Sequence, residues 1–403
     1  MGPIAGLKIL DMTSVVMGPF ASQALGDMGA DVIKIEPPEG DITRQIGPGR
    51  HADMGAIYLN ANRNKRSLCL NLKEADGLAA LKALISGADV LMYNIRPKAM
   101  ARLGLDYETV AALNPRLVYA GLFGFGQNGP YADDPAYDDL IQGGSTLASL
   151  FAIGTGGEPR YVPSAVADRV VGLSAVGAIC AAVIHALKTG QGQRVDIPMF
   201  ETMVNFVLGD HLGGLTFDPP LDRGGYARQL SAQRRPYRTR DGYVCALVYT
   251  DKHWTRFLAE MGLADLPQRD PRFAGFTNRM ANIDFVYSEL SRWFGDRTTA
   301  EWLDLLRRAD VPALPMHDFA SILSDRHLVA TDYFQMQDHP TEGRIRTMRN
   351  PTDWFGTPAG SREPAPRKGE QGREILREAG LSDTEIADLV QRGVLHVPDA
   401  PAA

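Results

Sequence analysis

Hydrophobic positions alternate between two rhythms over the first half of the chain. GLKILDMT carries a short apolar run, Leu7 to Met12, and DVIKIE carries another at 31–36. Between them, from about Pro19 to Met28, the apolar spacing fits a helix. The beat then repeats. NKRSLCLNLK at 64–73 places Leu68, Leu70 and Leu72 on one side, which predicts a strand, and a helix follows over 74–86. ADVLMYNIRP at 88–97 is a further strand stopped by Pro97, DYETVAAL opens a helix near Asp106, and LVYAGLFGFGQNGPY runs from a strand into a Gly-rich turn. Strand and helix in alternation predict an α/β fold with a doubly wound, mostly parallel sheet. In such sheets the ligand crevice lies outside the carboxyl ends of the strands, where Asn94, Arg96 and Gly124–Gly129 fall.

From Val170 to Leu187 no Asp, Glu, Lys or Arg occurs, and the run is rich in Ala and Gly, so it predicts a buried packing helix that includes His185. KTGQGQRVDIPM then reads as a helix stop, a turn and a short strand. The pattern changes after Val204, where LGDHLGGLTFDPPLDRGGYARQLSAQ holds five glycines and adjacent prolines. Asp241-Gly242 between apolar-aromatic runs predicts a turn joining two strands. Helices follow near Asp251, 280–295 and 299–309, and another begins after His317. GRIRTMRNP reads as a strand, and two short helices close the chain, the second opened by the capping box of Ser382 and Glu385. The expected organisation is a large domain over 1–225, an inserted smaller α+β domain over 226–318 and a return segment over 319–403 that completes the large one.

Composition narrows the function. At 403 residues, 44% hydrophobic and 22% charged, the chain has the make-up of a globular protein of more than one core. A net charge of -6 gives no basic footprint for nucleic acid. Cys69, Cys180 and Cys245 form no CxxC pair and sit in apolar runs, which predicts core residues rather than a disulfide or thiolate metal site. The first residues show neither a basic leader nor a cleavage pattern, and a cytoplasmic location without membrane spans is expected. The first βα turn lacks GxGxxG, so neither nicotinamide nor flavin is expected, and Glu36 alone is a weak ribose-binding signal. The paired acids Asp133–Asp134 and Asp138–Asp139 lack the spacing of a calcium loop, and no metal is expected.

Asp168 stands just ahead of the apolar run. An acid at a helix mouth serves either as an N-cap or as a carboxylate held with little freedom for catalysis. Asp138 is a candidate second carboxylate beside it. Glycines 124, 126 and 129 could free backbone amides to donate to a carbonyl oxygen or phosphate, or could simply form a surface turn. Lys65 with Arg66, Arg96 with Lys98 and Arg102, and Arg234–Arg240 are basic groups that could meet phosphate or carboxylate.

These stretches, in order, resemble the class III CoA-transferases of the CaiB/BaiF type, which include formyl-CoA and carnitine CoA-transferases. The resemblance rests on LKILDMTSVVMGPFASQALGDMGADVIKIEPPEGD, NKRSLCLNLK, NIRPKAMARLGLDYETVAALNPRLVYAGLFGFGQNGPYADDPAYD, the stretch through Asp168, TGQGQRVDIPMFE and LSDTEIADLVQRG, and it covers nearly the whole chain. It implies two interlocked rings in an intertwined homodimer and a substrate that is coenzyme A carried as acyl-CoA, with a small carboxylic acid as the second partner. It also implies that Asp168 is the catalytic aspartate and that Val16, Leu70, Lys73, Asn94, Ile95, Arg102, Leu103 and Tyr137 contact CoA. Two positions depart from the family pattern. Arg169 follows the aspartate where a hydrophobic residue is usual, and Pro37 stands where some members place a phosphate-contacting Arg. A Gly-rich small-domain lid has no clear counterpart. The implied reaction passes through an aspartyl anhydride and an enzyme–CoA thioester. The related α-methylacyl-CoA racemases share the aspartate but pair it with a His where this chain has Tyr137. Racemase or epimerase, and a catalytically silent CoA-binding protein, are the alternatives.

Overall fold

The computed structural model describes residues 2–399. The chain divides into two compact units: one holds the segment up to Ser145, Val162–Asn205 and the segment from Val329 on, and the other holds Thr146–Tyr161 and Phe206–Leu328.

The first unit is built on the alternating pattern. Strands β1 (Lys8–Met12), β2 (Asp31–Glu36), β3 (Lys65–Leu70), β4 (Val90–Tyr93), β5 (Val118–Phe123) and β6 (Gln193–Pro198) pair in parallel. With the C-terminal β12 (Leu395–His396), which runs antiparallel to β3, the order is β12-β3-β2-β1-β4-β5-β6. The chain moves outward from β1 to β3, then crosses back and moves the other way from β4. The switch point therefore lies between β1 and β4, where an open α/β sheet forms its crevice. β4 and β5 are buried along their whole length, as expected of strands covered on both faces.

The helices that position the site are α1 (Met17–Asp27), α2 (Ala75–Ser86), α3 (Tyr107–Leu113), α4 (Asp138–Gly144) and α5 (Val166–Thr189). α2 and α3 pack Leu81, Leu84, Ile85 and Val110 onto the sheet core. α5 lies along α1. At their crossing Gly172 has no room for a side chain, since a Cβ there would sit 2.9 Å from the Met17 carbonyl oxygen and 2.9 Å from Phe20 Cδ1. β10 (Phe334–His339) and β11 (Gly343–Met348) form an antiparallel hairpin. The first of these strands escapes a sequence reading.

The second unit has its own aromatic core of Trp254, Phe257, Trp293, Phe294 and Trp302. Its sheet of β7 (Tyr237–Arg238), β8 (Tyr243–Ala246) and β9 (Ala313–Pro315) is antiparallel, and the predicted Asp241-Gly242 turn joins the first two strands. After His317 only a short 3-10 turn and the helix Arg326–Ala330 form.

Three expectations need correction. α5 is long and apolar enough to cross a membrane, but this chain buries only one side of it. Leu173, Ile184 and Leu187 are exposed on the other side, and so is His185. Apolar composition alone does not say which sides of a helix the chain itself covers. Of the cysteines, Cys69 is buried, Cys180 is half-buried and Cys245 is exposed, because Cys245 occupies the outward phase of β8.

Candidate active site

α5 begins at Val166, and its N-cap position is Ala165, so Asp168 sits inside the first turn rather than at the cap. Its own amide, one of the unsatisfied donors of a helix start, is taken by Asp138 Oδ2 at 2.9 Å. The other Asp138 oxygen accepts from Gln142 Nε2 at 2.5 Å. Gln142 is buried, and its Oε1 accepts from the Val162 amide at 2.9 Å, which ties the approach to α5 onto α4. Capping is thus done by Asp138, thirty residues upstream, and neither Asp168 oxygen accepts a hydrogen bond within the described chain. Burial, then the neighbouring Asp138 charge, push the Asp168 carboxyl up to about 6, with Arg169 opposing them. A carboxylate with free lone pairs and raised basicity is the form a nucleophile needs.

The turn between β1 and α1 is over-determined. Asn94, at the end of β4, accepts from the Ser14 amide at 3.1 Å and donates to the Ser14 carbonyl at 3.0 Å, so its side chain clamps the switch point. Val15 has φ 73°, a left-handed conformation that a β-branched residue adopts only under constraint. Its amide donates to Asp41 Oδ1 at 3.3 Å. Asp41 is paired with Lys34 at 2.8 Å, and Lys34 also donates to the Thr13 carbonyl at 3.0 Å. Both side chains are sealed from solvent. Burial opposes the Lys34 charge, but Asp41, Asp11 and Glu36 outweigh it and hold its pKa above the usual value. Asp11 completes the support, accepting from Thr13, Ser22 and Lys65.

Beside this turn, at the strand ends, lies a cavity of about 290 Å³ lined by Met12, Ile35, Leu70, Lys73, Ile95 and Leu103, among others. Four of the eight expected CoA contacts, Leu70, Lys73, Ile95 and Leu103, meet there. Val16 and Asn94 lie at the neighbouring switch-point turn, Val16 being the N-cap of α1. Arg102 is exposed at the end of the short helix Pro97–Arg102. Tyr137 is exposed at the N-cap of α4, immediately before Asp138.

Several basic and acidic groups singled out in the sequence are committed to structure. Lys65 pairs with Asp11, Arg66 with Asp31 and Glu378, Arg240 with Glu301, and Lys98 with Asp133. Glu36 is held by Arg44 at 2.7 Å and by Ser67, so its carboxylate is already paired within the fold. The Gly126 amide donates to Glu201 Oε1 at 2.9 Å, and Gly124 packs against Ala136, so this part of the loop is braced within the fold. Among the described residues no three His, Cys, Asp or Glu side chains converge as metal ligands.

Residues 4–372 match the family model described as CoA-transferase family III. The chain belongs to CoA-transferase family III. Among curated relatives, the succinate–glutarate CoA-transferase of Agrobacterium fabrum is 34% identical, covering 93% of this chain and 95% of its own length. The human succinyl-CoA:glutarate CoA-transferase is 30% identical over 98% of this chain and 90% of its own. The acetyl-CoA:oxalate CoA-transferase of Acetobacter aceti is 32% identical over 94% and 96%. The crystal structure of a CAIB/BAIF family protein from Brucella suis superposes with TM-score 0.79 at 30% identity, covering 94% of this chain and 99% of that one. Family III membership places the chain among enzymes that transfer CoA.

Sequence reasoning singled out Asp168 and offered Asp138 beside it, but it missed the strained Val15 and the Lys34–Asp41 pair beneath it. The only sequence signal for the pair is a Lys and an Asp inside apolar surroundings, and that signal has many sources.

Proposed function

We propose that the enzyme moves coenzyme A from an acyl-CoA thioester to a free carboxylic acid, with Asp168 as the covalent relay. The Asp168 carboxylate attacks the thioester carbonyl, the C–S bond breaks, and an acyl-aspartyl anhydride and CoA thiolate result. The thiolate attacks the aspartyl carbonyl, releasing the donor as its carboxylate and leaving an aspartyl–CoA thioester. The acceptor carboxylate then displaces the thiolate to form a second anhydride. Thiolate attack on the acceptor's carbonyl releases the new acyl-CoA and restores Asp168. No proton is consumed, so the site needs a positioned carboxylate and exclusion of water rather than an acid–base pair.

The observation that carries this reading is the state of Asp168: both oxygens without a donor among the described residues, its amide capped by a second carboxylate, and its basicity raised. The strand-end cavity with Lys73 at its rim supports a site for the CoA moiety. The names of the relatives, which pair succinate or succinyl-CoA with glutarate and acetyl-CoA with oxalate, support small dicarboxylates among the acids. The bare apolar side of α5 supports an assembled form, read here as an intertwined homodimer in which a second copy covers Leu173, Ile184 and Leu187.

The test is chemical trapping. Enzyme incubated with succinyl-CoA and no acceptor is quenched with hydroxylamine and digested. A hydroxamate at Asp168 is expected. Exchange of the α-carbon hydrogen of a 2-methylacyl-CoA with solvent deuterium, without any hydroxamate, would instead establish a racemase.

A further inference from the structure

Arg169 is the one charged neighbour of Asp168 that the mechanism above leaves idle. Its guanidinium lies over the Phe20 ring, 4.5 Å from the centroid, so the planar group is held against α1 by stacking. It donates to no carboxylate, carbonyl or hydroxyl among the described residues. Its nitrogens also reach the surface, because the sealed polar atoms without partners are Arg279 Nε, Ser291 Oγ, Arg349 Nε and Arg367 Nε. Other arginines in this unit, Arg44, Arg63, Arg66 and Arg194 among them, are paired with carboxylates. Arg169 is half-buried, and burial holds its pKa below the ordinary arginine value, with Asp168 opposing that shift. A partly desolvated guanidinium fork with a fixed face and no anion is built to receive one, and a carboxylate fits it in two parallel hydrogen bonds.

We propose that Arg169 is the receptor for the reacting carboxylate of the acceptor acid, which it holds beside the Asp168 thioester. The assignment rests on the CoA-transfer reading. Asp168 is uncharged once it is a thioester, so the incoming acid replaces its charge beside Arg169, and Arg169 is the counter-charge. The same contact serves the donor acid as it leaves, since that step is the reverse of acceptor entry. Because the contact is to the reacting carboxylate, it acts alike on monocarboxylic and dicarboxylic acids.

The test compares wild type with Arg169→Met and Arg169→Gln, using succinyl-CoA as donor and glutarate or butyrate as acceptor. The loss of charge-assisted hydrogen bonds is expected to raise KM for both acceptors by roughly 10- to 100-fold. KM for succinyl-CoA is expected to change much less, and Arg169→Lys is expected to recover part of the loss. Gln keeps the hydrogen-bonding character, so it supplies the comparison if the Met variant does not fold. An unchanged acceptor KM in a folded variant overturns the proposal and leaves Arg169 as packing on Phe20. A rise confined to glutarate also overturns it, because the fork would then hold the distal carboxylate. Absence of CoA transfer to either acid by the wild type would count against the CoA-transfer reading itself.

Discussion

Replacing Asp138 with Asn tests the electrostatics of the site while keeping its shape. In the native site one Asp138 oxygen accepts from the Asp168 amide at 2.9 Å and the other from Gln142 at 2.5 Å. An Asn can serve one of these donors through its carbonyl oxygen, but its amino group then faces the other donor. Leaving one half-buried donor without an acceptor costs about 1–3 kcal/mol. The substitution also removes the like charge that, after burial, does most to raise the Asp168 carboxyl to about 6. The acid limb of the pH–rate profile for CoA transfer should therefore lie near 6 in the wild type. In Asp138→Asn it should move down by on the order of one unit. Turnover should fall as well, since the first turn of α5 loses a fixed cap and the carboxylate becomes less basic. The assay is the initial rate against pH with saturating acyl-CoA, with thermal unfolding followed in parallel. An acid limb that stays put, or rises, would refute the placement of Asp138 against Asp168.

Asp168→Asn should abolish transfer and yet stabilise the fold. An acid whose folded pKa is raised binds more protons when native, so the wild type loses stability as pH rises from the ordinary carboxylate range through about 6. The variant's advantage should be absent in acid and reach on the order of 2 kcal/mol above that window, read from urea unfolding at several pH values. Lys34→Met leaves Asp41 buried without its counter-charge, and about 3–5 kcal/mol of stability should be lost, visible as a lower unfolding midpoint. Gly172→Ala places a methyl against the Met17 carbonyl oxygen and Phe20, so α1 and α5 must part. A loss of about 1–3 kcal/mol is expected in denaturant titration, together with slower transfer.

The parallel sheet was legible because each strand and its crossover helix are local patterns, and because β1 to β6 are long enough to show them. β12 was not, since two residues become a strand only by pairing with β3 across most of the chain. Asp168 was legible as an acid at a helix mouth, but whether it caps that helix was not. That depends on who satisfies the amide, and the answer is Asp138 on another helix. The Lys34–Asp41 pair was hidden for a similar reason: DVIKIE reads as a strand whichever way Lys34 faces, and only the fold brings the turn at Thr13–Val15 over it. The exposed side of α5 shows the limit from the other direction, since an apolar stripe looks the same whether its cover comes from within the chain or from another copy.

The most direct measurement follows oxygen. The acceptor acid is supplied with both carboxylate oxygens labelled as ¹⁸O, together with unlabelled acyl-CoA, and the peptide containing Asp168 is analysed by mass spectrometry after turnover. The anhydride route passes an acceptor oxygen to the aspartyl carboxylate each time thiolate cleaves the second anhydride, so ¹⁸O should appear at Asp168. Efficient transfer with an unlabelled Asp168 would contradict the covalent role assigned to it.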